Sequence, residues 1–153
     1  MKLYLVQHGE ATSKDINPER PLTEKGREDA SKTALFLKKS GITVDVIWHS
    51  TKLRAIETAQ VFEKELTPTG GILQKEGLAP NDPTEGIFSE AEAESKDIMI
   101  VGHLPFIQKI AALVLLGSES SKIIRFNMGG VVCLKKSEEG FWQLVFEVIP
   151  DLL

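Results

Sequence analysis

Cysteine is almost missing from this sequence, with Cys133 the single example. One cysteine excludes an intramolecular disulfide, and its place in the apolar run Val131-Val132-Cys133-Leu134 favours a buried structural thiol over a nucleophile. Long hydrophobic runs are missing too. Leu3 to Val6 falls short of a signal-peptide core and Ile110 to Leu116 is too short to span a bilayer, so no membrane partner and a cytoplasmic location are expected. Positive charge is in slight deficit: 18 Lys and Arg face 22 Asp and Glu, for a formal net charge of −4. No Lys/Arg run offsets this. Nucleic-acid phosphates would repel such a chain, so no nucleic-acid partner is expected and any phosphate site has to be local. The HExxH and CxxC spacings of zinc sites and the G-x-S-x-G elbow of serine hydrolases are likewise absent, which disfavours metal binding and a Ser/His/Asp triad.

What is present is an ordinary globular composition, 42% hydrophobic and 26% charged over 153 residues, enough for one domain (residues 1–153) with a sizeable core. Short apolar or β-branched segments alternate with longer segments of helical period, the pattern of βα units around a mostly parallel sheet. Strands are expected at Lys2 to Gln7, Asp45 to His49, Ile72 to Glu76, Asp97 to Val101, Val131 to Lys135 and Trp142 to Ile149, the last two as a hairpin around Ser137 to Gly140. Helices are expected from Thr23, a capping residue, to Lys39 before Ser40-Gly41; after Ser50, read as a second cap; within Thr84 to Ser95; and from near Pro105. Ala55, Ala59, Phe62 and Leu66 share one face of the second helix, and Ile107, Ile110, Ala111 and Val114 one face of the fourth. The glutamates of Thr84 to Ser95 read as a solvated helix face rather than a metal cluster.

The polar residues of interest fall at one edge of this outline. His8-Gly9 follows the first strand, Arg54 lies one turn into the helix after the second, and Gly102-His103 follows the fourth. In open α/β sheets the carboxyl ends of the strands hold ligands, so these residues are expected to converge in one crevice. A lone histidine at a strand end is more often structural, but three coincident strand ends shift the balance. His plus Arg suits phosphate better than a cation, which the arginine would repel.

Four motifs in order then carry a family resemblance: Leu5-Val6-Gln7-His8-Gly9-Glu10-Ala11; Arg20-Pro21-Leu22-Thr23 with Gly26; His49-Ser50 to Arg54-Ala55 with Thr58-Ala59; and Val101-Gly102-His103-Leu104-Pro105. Together they resemble the histidine phosphatase superfamily. The Arg-Pro-Leu-Thr block, Leu78-Ala79-Pro80-Asn81 and Gly-His-Leu-Pro are similar to its short bacterial branch, the SixA-type phosphohistidine phosphatases. The resemblance implies a three-layer α/β/α, phosphoglycerate mutase-like fold and metal-independent hydrolysis without a cofactor. By the same resemblance His8 is the nucleophile that carries the phosphoryl group, Arg20 and Arg54 bind phosphate, and His103 is the second active-site histidine. A protonated imidazole and guanidinium forks would stabilise the transferring group, while His8 has to be neutral at one nitrogen to attack.

One position departs from the pattern: the family has Arg before the nucleophile, and this chain has Gln7. An amide can still donate to a phosphoryl oxygen, but charge-assisted bonds are about twice as strong as neutral ones. Gln7 is read as phosphate-facing, against the alternative that it merely ends the first strand. Arg20 could otherwise be a solvated loop cation and Arg54 a partner for Glu57. His49 is read as structural. A protonated phosphohistidine expels neutral imidazole, whereas an ester requires a proton donor, and Glu76, Asp82 and Glu85 show no spacing that singles one out. This slightly favours a phosphoamidate, and the resemblance, which supplies most of the preference, implies a phosphohistidine-containing protein as the substrate. The alternatives are a small phosphorylated molecule, or a phosphate-binding module that has lost turnover through Gln7.

Overall fold

A computed structural model describes residues 1–153. Six strands form one sheet: β1 (Lys2–Gln7), β2 (Val46–His49), β3 (Ile72–Gln74), β4 (Ile98–Gly102), β5 (Val131–Lys136) and β6 (Trp142–Val148). Their spatial order is β3-β2-β4-β1-β5-β6. The first four are mutually parallel and β5 runs antiparallel to both β1 and β6, so β5 alone opposes the other strands. The helices are α1 (Glu24–Lys39), α2 (Leu53–Leu66), α3 (Glu85–Glu94) and α4 (Phe106–Leu116), followed by a 3-10 turn at Pro150–Leu152.

The two-residue period of the strands sorts the core into two layers. Leu3, Leu5, Trp48, Ile98 and Ile100 pack on one face with Ile87 and Ala91 of α3 and Phe106, Ile107 and Ile110 of α4. Tyr4, Val6, Ile47, Met99 and Val101 pack on the other with Ala30, Ala34 and Leu37 of α1 and Ala55, Ala59 and Phe62 of α2. Because both faces are covered, β1, β2 and β4 are apolar almost without interruption, as buried parallel strands require. The architecture is the expected three-layer α/β/α, and Cys133 lies buried within the second layer.

Three details differ from the sequence reading. β3 stops at Gln74, because its partner β2 ends at His49; one further bond, Lys75 N–H to the His49 carbonyl at 2.9 Å, precedes a turn at Gly77, where φ is +83°. Thr23 does cap α1 through the Gly26 amide. Ser50, however, does not cap α2: Lys52 occupies that position without a side-chain bond, and the serine hydroxyl is used elsewhere. The glutamates of α3 are also less free than expected, since Glu90 pairs with Lys75 and Glu92 with Lys136.

Candidate active site

β4 lies between β1 and β2, so the residues that follow these strands meet at one sheet edge. The His8 amide donates to the Gly102 carbonyl at 3.0 Å and the Ser50 amide to the Val101 carbonyl at 3.1 Å, which ties the three strand ends together. The rings of His8 and His103 stand 5.1 Å apart between centroids, with their planes 56° from parallel. Arg54 reaches the same point from the first turn of α2, its Nε donating to His8 Nε2 at 3.2 Å. The predicted convergence of His8, Arg54 and His103 is therefore present.

The partners of His8 fix its tautomer. Nδ1 lies 2.7 Å from the Gly9 carbonyl, which can only accept, while the Arg54 N–H can only donate. The proton sits on Nδ1, and Nε2 carries the lone pair. Burial, then the Arg54 and Arg20 charges, outweigh the Gly9 bond and lower the His8 pKa to about 4, so the ring is neutral near pH 7.

His103 is fully enclosed. Its Nε2 lies 2.8 Å from Ser50 Oγ, and its Nδ1 is buried with no partner in the protein. Burial, followed by His8, Arg54, Lys52 and Arg20, lowers its pKa to about 3. The protonated imidazole expected here is thus not the form of the unliganded chain, because cations crowd a desolvated ring. A phosphoryl dianion would act in the opposite direction and favour the proton. Ser50 Oγ also receives the Lys52 N–H at 3.4 Å, and when its hydroxyl donates to His103 Nε2 the ring proton lies on Nδ1.

Thr58 organises this edge from α2. Its buried hydroxyl accepts the Gly9 N–H at 3.0 Å and donates to the Arg54 carbonyl at 2.7 Å. Ser50 and Thr58 are the site residues that sequence reasoning missed as such. Ser50 was read as a cap, and the available signal for Thr58 was its position one helical turn after Arg54. Gly9 serves packing: a Cβ there would stand 2.7 Å from the Gly26 carbonyl oxygen, and one at Gly26 would collide with Glu10. The pair lets the loop after β1 lie against the start of α1.

Arg20 lies beside Arg54 in an open cleft of about 550 Å³. Its backbone is in the left-handed region, φ +54°, and its Nε donates to the Thr12 carbonyl at 3.2 Å. Burial and Arg20 both lower the Arg54 pKa. Arg54 does not pair with Glu57, whose carboxylate accepts instead from Arg27 and the Leu22 amide. Gln7 is half-buried; its main chain is held by Gly102 and Gly129, and its side chain has no protein partner. His49 is buried with Nδ1 3.0 Å from the Ser50 carbonyl. Asp82 accepts the Ala79 amide, and none of Glu76, Asp82 and Glu85 lines the cleft. No three or more His, Cys, Asp or Glu side chains are grouped to hold a metal ion, and no helix is long and apolar enough to cross a membrane.

Residues 3–79 match the family model of the histidine phosphatase superfamily, branch 1. The chain belongs to the histidine phosphatase superfamily. Among similar proteins, an uncharacterised protein of Picosynechococcus sp. is 29% identical over 144 residues, 88% of this chain and 85% of the relative. The protein histidine phosphatase SixA, solved in complex with tungstate, superposes with a TM-score of 0.86 at 20% identity, covering 99% of both chains. The α-ribazole phosphatase of Shigella flexneri gives a TM-score of 0.72 at 18% identity, covering 95% of both. These structures share the fold of this superfamily member, in which the strand order delivers His8 and His103 to one edge.

Proposed function

We propose that the chain is a metal-independent phosphatase that removes phosphate from phosphohistidine on a protein through a phosphohistidyl intermediate on His8. The observation that carries this reading is the His8 ring itself: neutral, with its Nε2 lone pair aimed at a guanidinium that would also hold a phosphoryl oxygen. When the substrate arrives, Arg54 transfers its N–H bonds from His8 to the nonbridging oxygens, where they are charge-assisted. The freed Nε2 attacks phosphorus; the new N–P bond forms as the bond to the substrate nitrogen breaks, and the protonated substrate ring leaves as neutral imidazole. Water then attacks the phosphohistidine, releasing inorganic phosphate and restoring His8. Arg20, Arg54, the Gln7 amide and the His103 Nδ1–H stabilise charge on the equatorial oxygens throughout, which is most of what phosphoryl transfer requires.

The carboxylate content of the cleft supports this choice of substrate class. Glu19, the one carboxylate of the cleft that Arg20 and Arg54 line, is exposed and poorly suited to protonate an alkoxide, whereas a phosphoamidate makes no such demand. The fold likeness to a protein histidine phosphatase supports the same choice. Gln7 favours a second reading, a phosphate- or phosphoprotein-binding module with weak turnover, because it removes a charge beside His8. A small-molecule phosphomonoesterase is the third.

Hydrolysis of a panel of phosphohistidine, phosphoserine and sugar-phosphate substrates in chelator separates these readings. Phosphohistidine is expected to turn over fastest, with an acid-labile phosphoryl group trapped on the wild-type chain and none on His8→Ala. Normal turnover by His8→Ala overturns the nucleophile assignment. Phosphate binding without turnover on any member of the panel establishes the binding module.

A further inference from the structure

Charge is distributed unevenly around the cleft. Lys14, Arg20, Lys52 and Arg54 line it, with Glu19 the one acid. None of these four cations takes part in an ion pair, although acidic residues outnumber basic ones in the chain and Lys25, Lys38, Lys75 and Lys136 all have carboxylate partners. The same spot is the start of α2, whose first turn holds no acid and whose N-cap makes no side-chain bond. The Leu53 and Arg54 amides there donate to no protein acceptor. A helix start ordinarily favours acidic side chains, and cations at that end are opposed by the macrodipole. An anion entering from outside would relieve both the self-repulsion and the uncompensated helix end.

The phosphoryl group does not account for all of this. As a dianion it matches two cations, and Arg20 and Arg54 are the two nearest His8. Lys14 and Lys52, both exposed, remain over. Long ammonium side chains act as mobile point charges and suit carboxylates at variable positions, in contrast to the fixed fork of arginine. The cleft is open and, at about 550 Å³, has room for a short segment of chain.

We propose that Lys14 and Lys52 form a docking groove for an acidic segment of the substrate protein, its Asp and Glu side chains lying next to the phosphohistidine. The groove thereby selects phosphoproteins by the charge around the phosphorylated residue. This rests on the phosphohistidine reading for its biological meaning, but its test does not.

The measurement is fluorescence anisotropy of two labelled, unphosphorylated peptides, one with Asp and Glu flanking a central His and one with Asn and Gln in their place. The acidic peptide is expected to bind the wild-type chain about five- to tenfold more tightly at low salt, the range two exposed ion pairs supply. Added salt should erase the difference. Lys14→Glu/Lys52→Glu should lose the preference and bind a Lys-flanked peptide better than wild type does, with a wild-type-like circular dichroism melting curve showing that it is folded. Equal binding of the acidic and neutral peptides by wild type, or an unchanged preference in the double variant, overturns the groove and leaves its cations to a small polyanion. Because the peptides carry no phosphate, failure of the groove is separate from failure of phosphohistidine hydrolysis.

Discussion

Acidification should destabilise this protein well before its carboxylates titrate, and the two buried histidines His8 and His103 should be the main cause. Unfolded, a histidine binds its proton near pH 6.5; folded, His8 does so only at about 4, because it is buried beside Arg54 and Arg20. Between these values the unfolded chain holds more protons than the folded one, so stability falls as the pH drops through this window and is constant above it. A depression of that size corresponds to about 3 kcal/mol. The geometry gives a similar figure for double protonation: unit charges on rings 5.1 Å apart repel by about 3 kcal/mol at an effective dielectric near 20. His103, held at about 3, costs stability across the same window and continues to do so at lower pH. Against a typical total of about 5 to 15 kcal/mol, such a loss is large. Urea denaturation of wild type and His8→Asn over the window from neutral pH to about 4 isolates the His8 share, because the other titrating groups are common to both. The variant should be less pH-sensitive by about 3 kcal/mol over that range. Identical pH dependence in the two proteins would refute the claim that His8 is held neutral by its surroundings, and with it the account of its lone pair.

The other predictions concern the two neighbours of the histidines. Gln7→Arg restores a cation beside His8; if the side chain reaches the phosphoryl group, one charge-assisted bond worth about 1.5 to 3 kcal/mol should raise kcat by about tenfold or more. Tighter phosphate binding without faster turnover would mean equal stabilisation of ground and transition states, and no change in either would remove Gln7 from the site. Ser50→Ala takes away the hydroxyl 2.8 Å from His103 Nε2 and should lower kcat about tenfold, with KM little changed. Ser50→Thr should recover most of the loss, and nitrogen NMR of His103 should show the ring proton leaving Nδ1 in the alanine variant; an unaltered tautomer would refute the positioning role.

Much of this molecule follows from local sequence. The alternation of β-branched segments with helical periodicity marks all six strands and four helices, because side-chain period and capping are decided within a few residues. Thr23 capping α1 and the hairpin at Ser137 to Gly140 are of this kind. The family was legible as well, since its motifs are contiguous stretches around His8, Arg20, Arg54 and His103. Strand order is different in nature. That β4 inserts between β1 and β2, and so sets His103 beside His8, depends on pairings between residues 52 and 95 positions apart in the chain. Ser50 shows the same division in one residue: its position before a helix predicts a cap, yet the hydroxyl goes to a histidine that only the sheet brings near. The protonation of the two histidines is likewise beyond any local pattern. It is set by desolvation and by guanidinium groups a few ångströms away, and both exist only once the chain has folded.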